Sequence, residues 1–346
     1  MKRASSPLIA LAVLGTFGQL CSPVFAATST RLDTLLAGGN RLAAVQNTDG
    51  GWGYPVTSQS FSNILSVSGI GLTQAYKATH DTGLYTALRK SAAALTAQTR
   101  FSPHDGQFAA ELDSVYGGNT YRNYVKTNFF DKLENRTYPI SGHPSGYAEV
   151  IQGVRDYQSD NYANYAGWDL GLYLASAVSV GATTTPWTTA TKEELNKITK
   201  DPEGDVTGLA GALYGLAYAH EDFDPTSGAY AIAHSLADLA GILAGYQLSS
   251  GGFALTSQNL TLGHEGRQET AYAVLALDMI GGYSQAIDHA DSWLQGVQQS
   301  NGGWADGNAE YNALTGEVLR AIAVPEPASL SFLALGAAAL LTRRRH

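Results

Sequence analysis

The chain has 346 residues, 15% of them charged, with 38 Gly, 19 Tyr and a formal net charge of −9. That length holds one large domain or two small ones, and the negative charge disfavours nucleic acid and anionic membrane surfaces as partners. The single cysteine, Cys21, falls inside an N-terminal segment read below as removed on export, so the exported chain has no thiol for a disulfide, a thiolate metal site or a cysteine nucleophile.

Residues 1–26 predict a secretory signal. Lys2 and Arg3 supply the positive start, Leu8 to Leu20 is apolar but short, and Val24-Phe25-Ala26 offers small residues around a cut after Ala26. The Sec export machinery is then the first partner. Residues 27–323 predict one helical domain, beginning with a helix over 30–46 whose apolar stripe is Leu32, Leu35, Leu36, Leu42 and Val45. The turn 47–55 carries Trp52 and Tyr54. Ser62 to Thr79 is a helix apolar on most sides, as for an inner layer, whereas Leu84 to Gln98 is amphipathic with Arg89 and Lys90 outward.

Residues 99–160 carry weaker signals. Phe108 to Val115 reads as helix, Tyr116-Gly117-Gly118-Asn119 as a turn, and 121–145 as an aromatic run of mixed charge, with His143-Pro144-Ser145 capping a helix from Gly146; the region reads as a divergent repeat, with a longer functional loop as the alternative. Tyr162 to Val180 is a long helix holding Trp168 and Asp169, and Thr188 to Glu194 starts another with an acidic first turn. Asp205–His220 and Glu265–Ile280 are apolar and inner, Tyr230–Gln247 and Gln285–Gln298 are outer, and Asn308–Ile322 closes the series. The alternation gives about twelve helices in six hairpins, with almost no strand.

Three turns share one internal spacing: Leu42, Gln46, Gly50, Trp52; Leu243, Gln247, Gly251, Phe253; and Leu294, Gln298, Gly302, Trp304. The leucine and the glutamine lie one turn apart on a helix face. The glutamine amide stands where helix carbonyls lack partners, able to donate to them and to accept from the next loop. The glycines allow a positive φ as the chain leaves, and the aromatic packs back over the turn. Gln247 and Gln298 are 51 residues apart, and stepping from Gln46 by that unit reaches a decayed copy at Gln98 and possible turns at Gln152-Gly153 and Lys200–Gly204.

These turns resemble the QW motifs of the terpenoid-cyclase and prenyltransferase superfamily. The resemblance implies an all-α fold, an α/α toroid of about six helical hairpins around a central cavity. It implies no reaction. The DxDD acid of the polyene cyclases is absent, the nearest run being Glu221-Asp222-Phe223-Asp224. The Asp, Cys, His zinc set of the prenyltransferases cannot be assembled without a mature cysteine, and the Cys-Gly-Glu-Gln run of the thioester proteins is missing too.

Residues 324–346 are distinct. Val324-Pro325-Glu326-Pro327 breaks the last helix, Ala328 to Leu341 is apolar, and Arg343-Arg344-Arg345 follows. This order resembles the PEP-CTERM sorting tail of Gram-negative bacteria. The resemblance implies an exosortase as partner, acting on Pro325, Glu326 and Pro327, and a transient inner-membrane stage through a short transmembrane helix. It also implies delivery to the cell surface or the extracellular polysaccharide matrix. The terminal arginines agree with a cytoplasmic end. Removing both terminal segments leaves 16 Lys and Arg against 29 Asp and Glu, a net −13.

For the toroid itself, glycoside hydrolases and polysaccharide lyases on such rings need carboxylates at one mouth. The candidates are Glu111, Asp113, Asp169, Asp205, His264, Glu265 and Glu269. Trp52, Tyr54, Trp168 and Trp187 are the aromatics available to stack on sugar rings, although Trp52 and Trp304 also belong to the structural turn. The eight histidines form no HxH or HxxxH cluster, so no metal and no cofactor are expected. No catalytic constellation stands out. The favoured reading is a non-catalytic surface or matrix protein that binds glycan or another exported protein; a secreted polysaccharide lyase or glycoside hydrolase is the alternative.

Overall fold

The computed structural model describes residues 22–324, apart from 141, 162–163 and 200–204. The signal segment before Ser22 and the tail from Pro325, with its arginines, lie outside the described residues. The helices are α1 (Ser22–Ala44), α2 (Ser62–Thr79), α3 (Thr82–Ala97), α4 (Asp105–Tyr116), α5 (Thr120–Val125), α6 (Asp131–Glu134), α7 (Tyr147–Asn161) and α8 (Ala166–Val180). They continue as α9 (Thr185–Leu195), α10 (Asp205–Tyr218), α11 (Leu236–Ala244), α12 (Ser257–Leu262), α13 (Arg267–Ile280), α14 (Ser284–Gly296) and α15 (Asn312–Ile322). A π-turn, Lys126–Phe130, joins α5 to α6. Strands among the described residues are three short antiparallel pairs: β1 (Tyr138–Ile140) with β2 (His143–Ser145), β3 (Phe253–Ala254) with β4 (Glu265–Gly266), and β5 (Ala305–Asp306) with β6 (Ala309–Glu310).

Six helices form a closed inner ring in the order α2, α4, α8, α10, α13, α15 and back to α2. They are the helices apolar on nearly every side: in α10 every residue from Asp205 to Leu216 is buried. Small residues let the backbones approach. A Cβ built on Gly71 of α2 would stand 2.4 Å from the Gly316 carbonyl oxygen of α15, so neither helix tolerates a larger residue there. The outer layer packs over the seams, with α1 between α15 and α2, α3 beside α2, α9 over α8 and α10, α11 over α10 and α13, and α14 over α13 and α15. The 99–160 stretch forms the remaining outer wall through α5, α6 and α7. Its aromatics make an outer cluster in which Phe129 lies 5.1 Å from Tyr138 and Tyr173 stacks on Trp187 at 4.7 Å.

The three repeated turns do one job in one geometry. Gln46, Gln247 and Gln298 each donate their amide to the carbonyl of the glycine four residues on, at 2.9 Å in every copy. Each also donates to the next outer helix: Gln46 to Ala87 O (3.0 Å), Gln247 to Ala286 O (2.7 Å) and Gln298 to Thr34 O (3.0 Å). The last of these joins the end of the chain to its beginning and closes the ring. The glycines have φ of 88°, 104° and 91°. A Cβ on any of them would lie 2.3 Å from a backbone oxygen of that same neighbouring helix, at Lys90, His289 and Ala37 respectively. Only glycine satisfies both demands. Trp52 and Trp304 are fully buried and donate Nε1–H to Leu42 O (2.8 Å) and Leu294 O (2.9 Å).

Several local expectations are corrected. The glutamine amide links turns by donating twice; Gln46 Oε1 accepts nothing among the described residues. Gln98 is no copy of the link, because its amide goes to Asp105 Oδ2 (2.7 Å) within its own turn. Gln152-Gly153 lies inside α7, and Lys200–Gly204 lies outside the described residues. The helix α9 starts at Thr185 with proline in its first turn, so Glu193 and Glu194 stand near its end, held by Arg155 at 2.6 Å each. Ser145 does not cap α7; Glu149 Oε2 accepts from Gly146 N–H at 2.8 Å instead. The first helix begins at Ser22 rather than residue 30, so a cut after Ala26 falls in its opening turns.

Candidate functional site

The inner helices start on the face that carries the repeated turns, and polar side chains from them meet at the ring axis. Five elements contribute: α4 with His104 just before it and Gln107, α8 with Trp168, α10 with Thr207 and Tyr214, α13 with Gln268, Glu269 and Tyr272, and α15 with Glu317 and Arg320, the two tyrosines, Glu317 and Arg320 lying beyond the first turn. Glu317 is the centre of the set. It is 3% exposed, accepts the Tyr272 hydroxyl at 2.9 Å, and receives the Gln268 amide on both oxygens at 3.2 and 3.1 Å. Burial pushes its carboxyl up to about 8, and the charge of Glu269 adds in the same direction. Glu269 is buried, accepts from Thr207 Oγ1 at 3.3 Å, and is likewise raised by burial.

The set continues across the ring. Tyr272 Oη is 3.4 Å from His104 Nε2, whose imidazole is held down to about 3 by burial, with Arg320 adding, and so stays neutral. Trp168 meets Tyr272 edge to face, 4.9 Å between ring centroids. Arg320 lies over the Tyr214 ring at 4.8 Å and donates to its hydroxyl, which also accepts the Gln107 amide at 2.6 Å. On the outward side of α8, Asp169 accepts from Gln158 of the outer helix α7 at 2.6 Å, and desolvation lifts its carboxyl to about 6. Trp168 remains partly exposed at the mouth. This arrangement can offer hydrogen bonds, a neutral carboxylic acid and one aromatic face.

Of the residues singled out in the sequence, the structure brings Glu269 and Trp168 to this axis. The others go elsewhere. Asp113 caps α5, accepting from Tyr121 N, Arg122 N and Arg122 Nε, all at 3.0 Å. Asp205 is fully buried at the start of α10, where Val206 N (2.9 Å), Tyr246 Oη (3.3 Å) and Ser257 Oγ (3.3 Å) occupy it; burial raises it to about 6. Glu111 bonds Gln74 (3.0 Å) and Lys77 further down the ring. His264 is exposed, and Glu265 belongs to β4 rather than to a helix, accepting Trp293 Nε1–H at 3.0 Å. Trp52 and Trp187 have no exposed surface, which removes them as sugar-stacking residues. Tyr54 is 55% exposed and packs beside Tyr311 at 4.6 Å on the mouth side.

Glu317, Tyr272, Gln268, Tyr214 and Arg320 were not found by sequence reasoning. One signal was available: Glu317 is the sole charge in the run Ala313-Leu314-Thr315-Gly316-Glu317-Val318-Leu319 of an inner helix. Among the described residues no group of three His, Cys, Asp or Glu side chains could hold a metal ion.

Two nested helical rings closed by repeated turns define an α/α toroid, and solved structures agree. The chain is similar to a variant of the type II terpene cyclase MstE from Scytonema bound to geranylgeranyl dihydroxybenzoate, with 12% identity, TM-score 0.52, and 87% of this chain and 98% of that one covered. An unsaturated glucuronyl hydrolase specific for heparin is similar at 11% identity, TM-score 0.53, with 86% and 96% covered. A protein from Actinoplanes is similar at 15% identity, TM-score 0.50, with 84% and 98% covered. At such identities the likeness is one of fold. No curated protein matches the sequence. Residues 323–345 match the PEP-CTERM protein-sorting motif. The chain is therefore a toroid carrying the sorting tail of an exported, exosortase-processed protein.

Proposed function

We propose that the exported toroid, residues 27–323, is a surface or matrix protein of a Gram-negative bacterium whose mouth binds a glycan without transforming it. The observation that carries this reading is the polar lining of the ring axis by five inner-ring elements, with Trp168 part-exposed at its rim. Saccharides present hydroxyls to be hydrogen-bonded and an apolar ring face to be covered by an aromatic. An apolar polyene such as the geranylgeranyl chain of the cyclase ligand could pair none of the buried polar atoms that the lining leaves without a partner, each of which costs about 1–3 kcal/mol while unpaired. His104 Nδ1 and Gln107 Oε1 are buried without a partner among the described residues, which adds capacity for a polar ligand. Sorting to the surface places the mouth where exopolysaccharide is found.

The test is affinity electrophoresis and calorimetry of the exported chain against the exopolysaccharide of its host. Saturable binding, weakened at least tenfold in Trp168→Ala while the melting temperature holds, is the expected result. Absence of binding to every glycan tried, or unchanged affinity in the variant, would remove this reading.

One observation favours a second reading, hydrolysis or elimination on the same glycan. Glu317 keeps its proton near neutral pH and has Glu269 as an electrostatic neighbour, a pairing of the kind that general acid catalysis uses. Release of new reducing ends, lost in both Glu269→Gln and Glu317→Gln, would select it over simple binding.

A further inference from the structure

Both ends of the toroid leave from one face, opposite the mouth. Arg31, ten residues into the 23-residue α1, donates its Nε–H to Ile322 O at 2.6 Å and its Nη2–H to Val324 O, at the C-terminal end of α15. Further along α1, Arg41 pairs with Glu310 at 2.7 Å, just before α15 begins. Those two contacts fix α1 antiparallel to α15. The N-terminal half of α1, toward the export signal, and the C-terminal end of α15, toward the sorting tail, therefore lie on the same face, with the residues before Arg31 running on past the end of α15. Trp168, Asp169 and Glu269 belong to first turns, at the other end of the inner helices.

The tether to the bilayer is short. Only Pro325, Glu326 and Pro327 separate Val324 from the apolar run that begins at Ala328. Fully extended, the path from Val324 to Ala328 spans at most about 14 Å, and the two prolines stiffen it. An inner helix such as α13, with 14 residues, is longer than that, about 21 Å at a 1.5 Å rise. A chain held by its tail can bring the exit face to the lipid headgroups, but the mouth stays beyond reach of them. Among the described residues no helix is long and apolar enough to cross a membrane.

We infer that, before exosortase processing, the toroid stands on the inner membrane on its helix-exit face, with the clamp of Arg31 on Ile322 and Val324 fixing that orientation and the mouth turned away from the lipid. The partner surface is the phospholipid headgroup layer. The contact is imposed by the tether, since the acidic body has no net attraction for anionic lipid.

Two positions report the two faces. Met279 lies at the end of α13 and is 37% exposed; Leu262 ends α12, whose Ser257 bonds Asp205 at the start of α10, and is 57% exposed. The probe is an environment-sensitive fluorophore on Met279→Cys or Leu262→Cys, each in a chain of residues 27–346, which lacks the export segment with Cys21, carrying Glu326→Ala to prevent processing. The chains are placed in phosphatidylethanolamine and phosphatidylglycerol vesicles doped with a headgroup-nitroxide lipid. Quenching at residue 279 at least twofold stronger than at residue 262 is expected. Equal quenching, or stronger quenching at residue 262, overturns the orientation. In a chain ending at Val324 the difference should vanish, and its persistence would overturn the role of the tether.

Discussion

Replacing Glu317 with glutamine tests the axial cluster through its proton. The Glu317 carboxyl titrates near 8 in the fold, against 4.5 in the unfolded chain. Between those values the folded state holds a proton that the unfolded state has released. Stability therefore falls as pH rises through that window, by about 1.4 kcal/mol per pH unit while the difference is one full proton. Other buried groups confine the useful range. Asp169 and Asp205, raised to about 6, contribute their own losses mainly below that pH, and His104, lowered to about 3, gives an opposing slope below its unfolded value of 6.5. From pH 6.5 to 8 the Glu317 share of the loss should be roughly 2 kcal/mol in urea unfolding of the exported chain, with the buried Glu269, also raised, adding in the same direction. Glu317→Gln keeps the acceptor for Tyr272 and does not titrate. It should flatten the profile and be the more stable protein at pH 8. A wild-type curve without slope above pH 6.5, or an equal slope in the variant, would refute the placement of a protonated acid on the axis.

The repeated turn is tested by substituting its aromatic and its glycine. Trp304→Ala should cost roughly 3–5 kcal/mol as a fully buried indole is deleted, with Trp52→Ala similar; unchanged melting curves would refute the packing role. Gly302→Ala should destabilise clearly more than Gly307→Ala, because Gly302 combines φ 91° with an oxygen 2.3 Å from the new Cβ, whereas nothing lies within 4 Å of Gly307. Equal losses would show that φ alone matters. For the tail, intact-mass measurement of the extracellular form should give a chain beginning at Ala27 and lacking Arg343 to Arg345; a secreted form still ending in His346 would refute processing.

The sequence alone determined the helical rings and the tail. A turn that needs a leucine, a glutamine, a glycine and an aromatic at fixed spacing is a local object, so three copies were readable, and helix periodicity separated α2, α10 and α13 from their amphipathic neighbours. The Pro-Glu-Pro, apolar and arginine order is likewise contiguous. The axis was decided only by tertiary structure. His104, Trp168, Tyr214, Tyr272 and Glu317 sit on five different inner-ring elements, and no local spacing records that ring closure brings them together. Sequence could not separate Glu269, which reaches the axis, from Asp113, Asp169 and Asp205, because an acidic side chain on an inner helix suits a helix dipole, a cap or an outer-layer partner as well as a ligand. It also left Trp52 and Trp187 open as ligand contacts, since burial is set by the neighbouring helix. The glutamines explain the difference: their bonds to their own turns were foreseeable from spacing, but which helix received the second bond depended on how the ring closed.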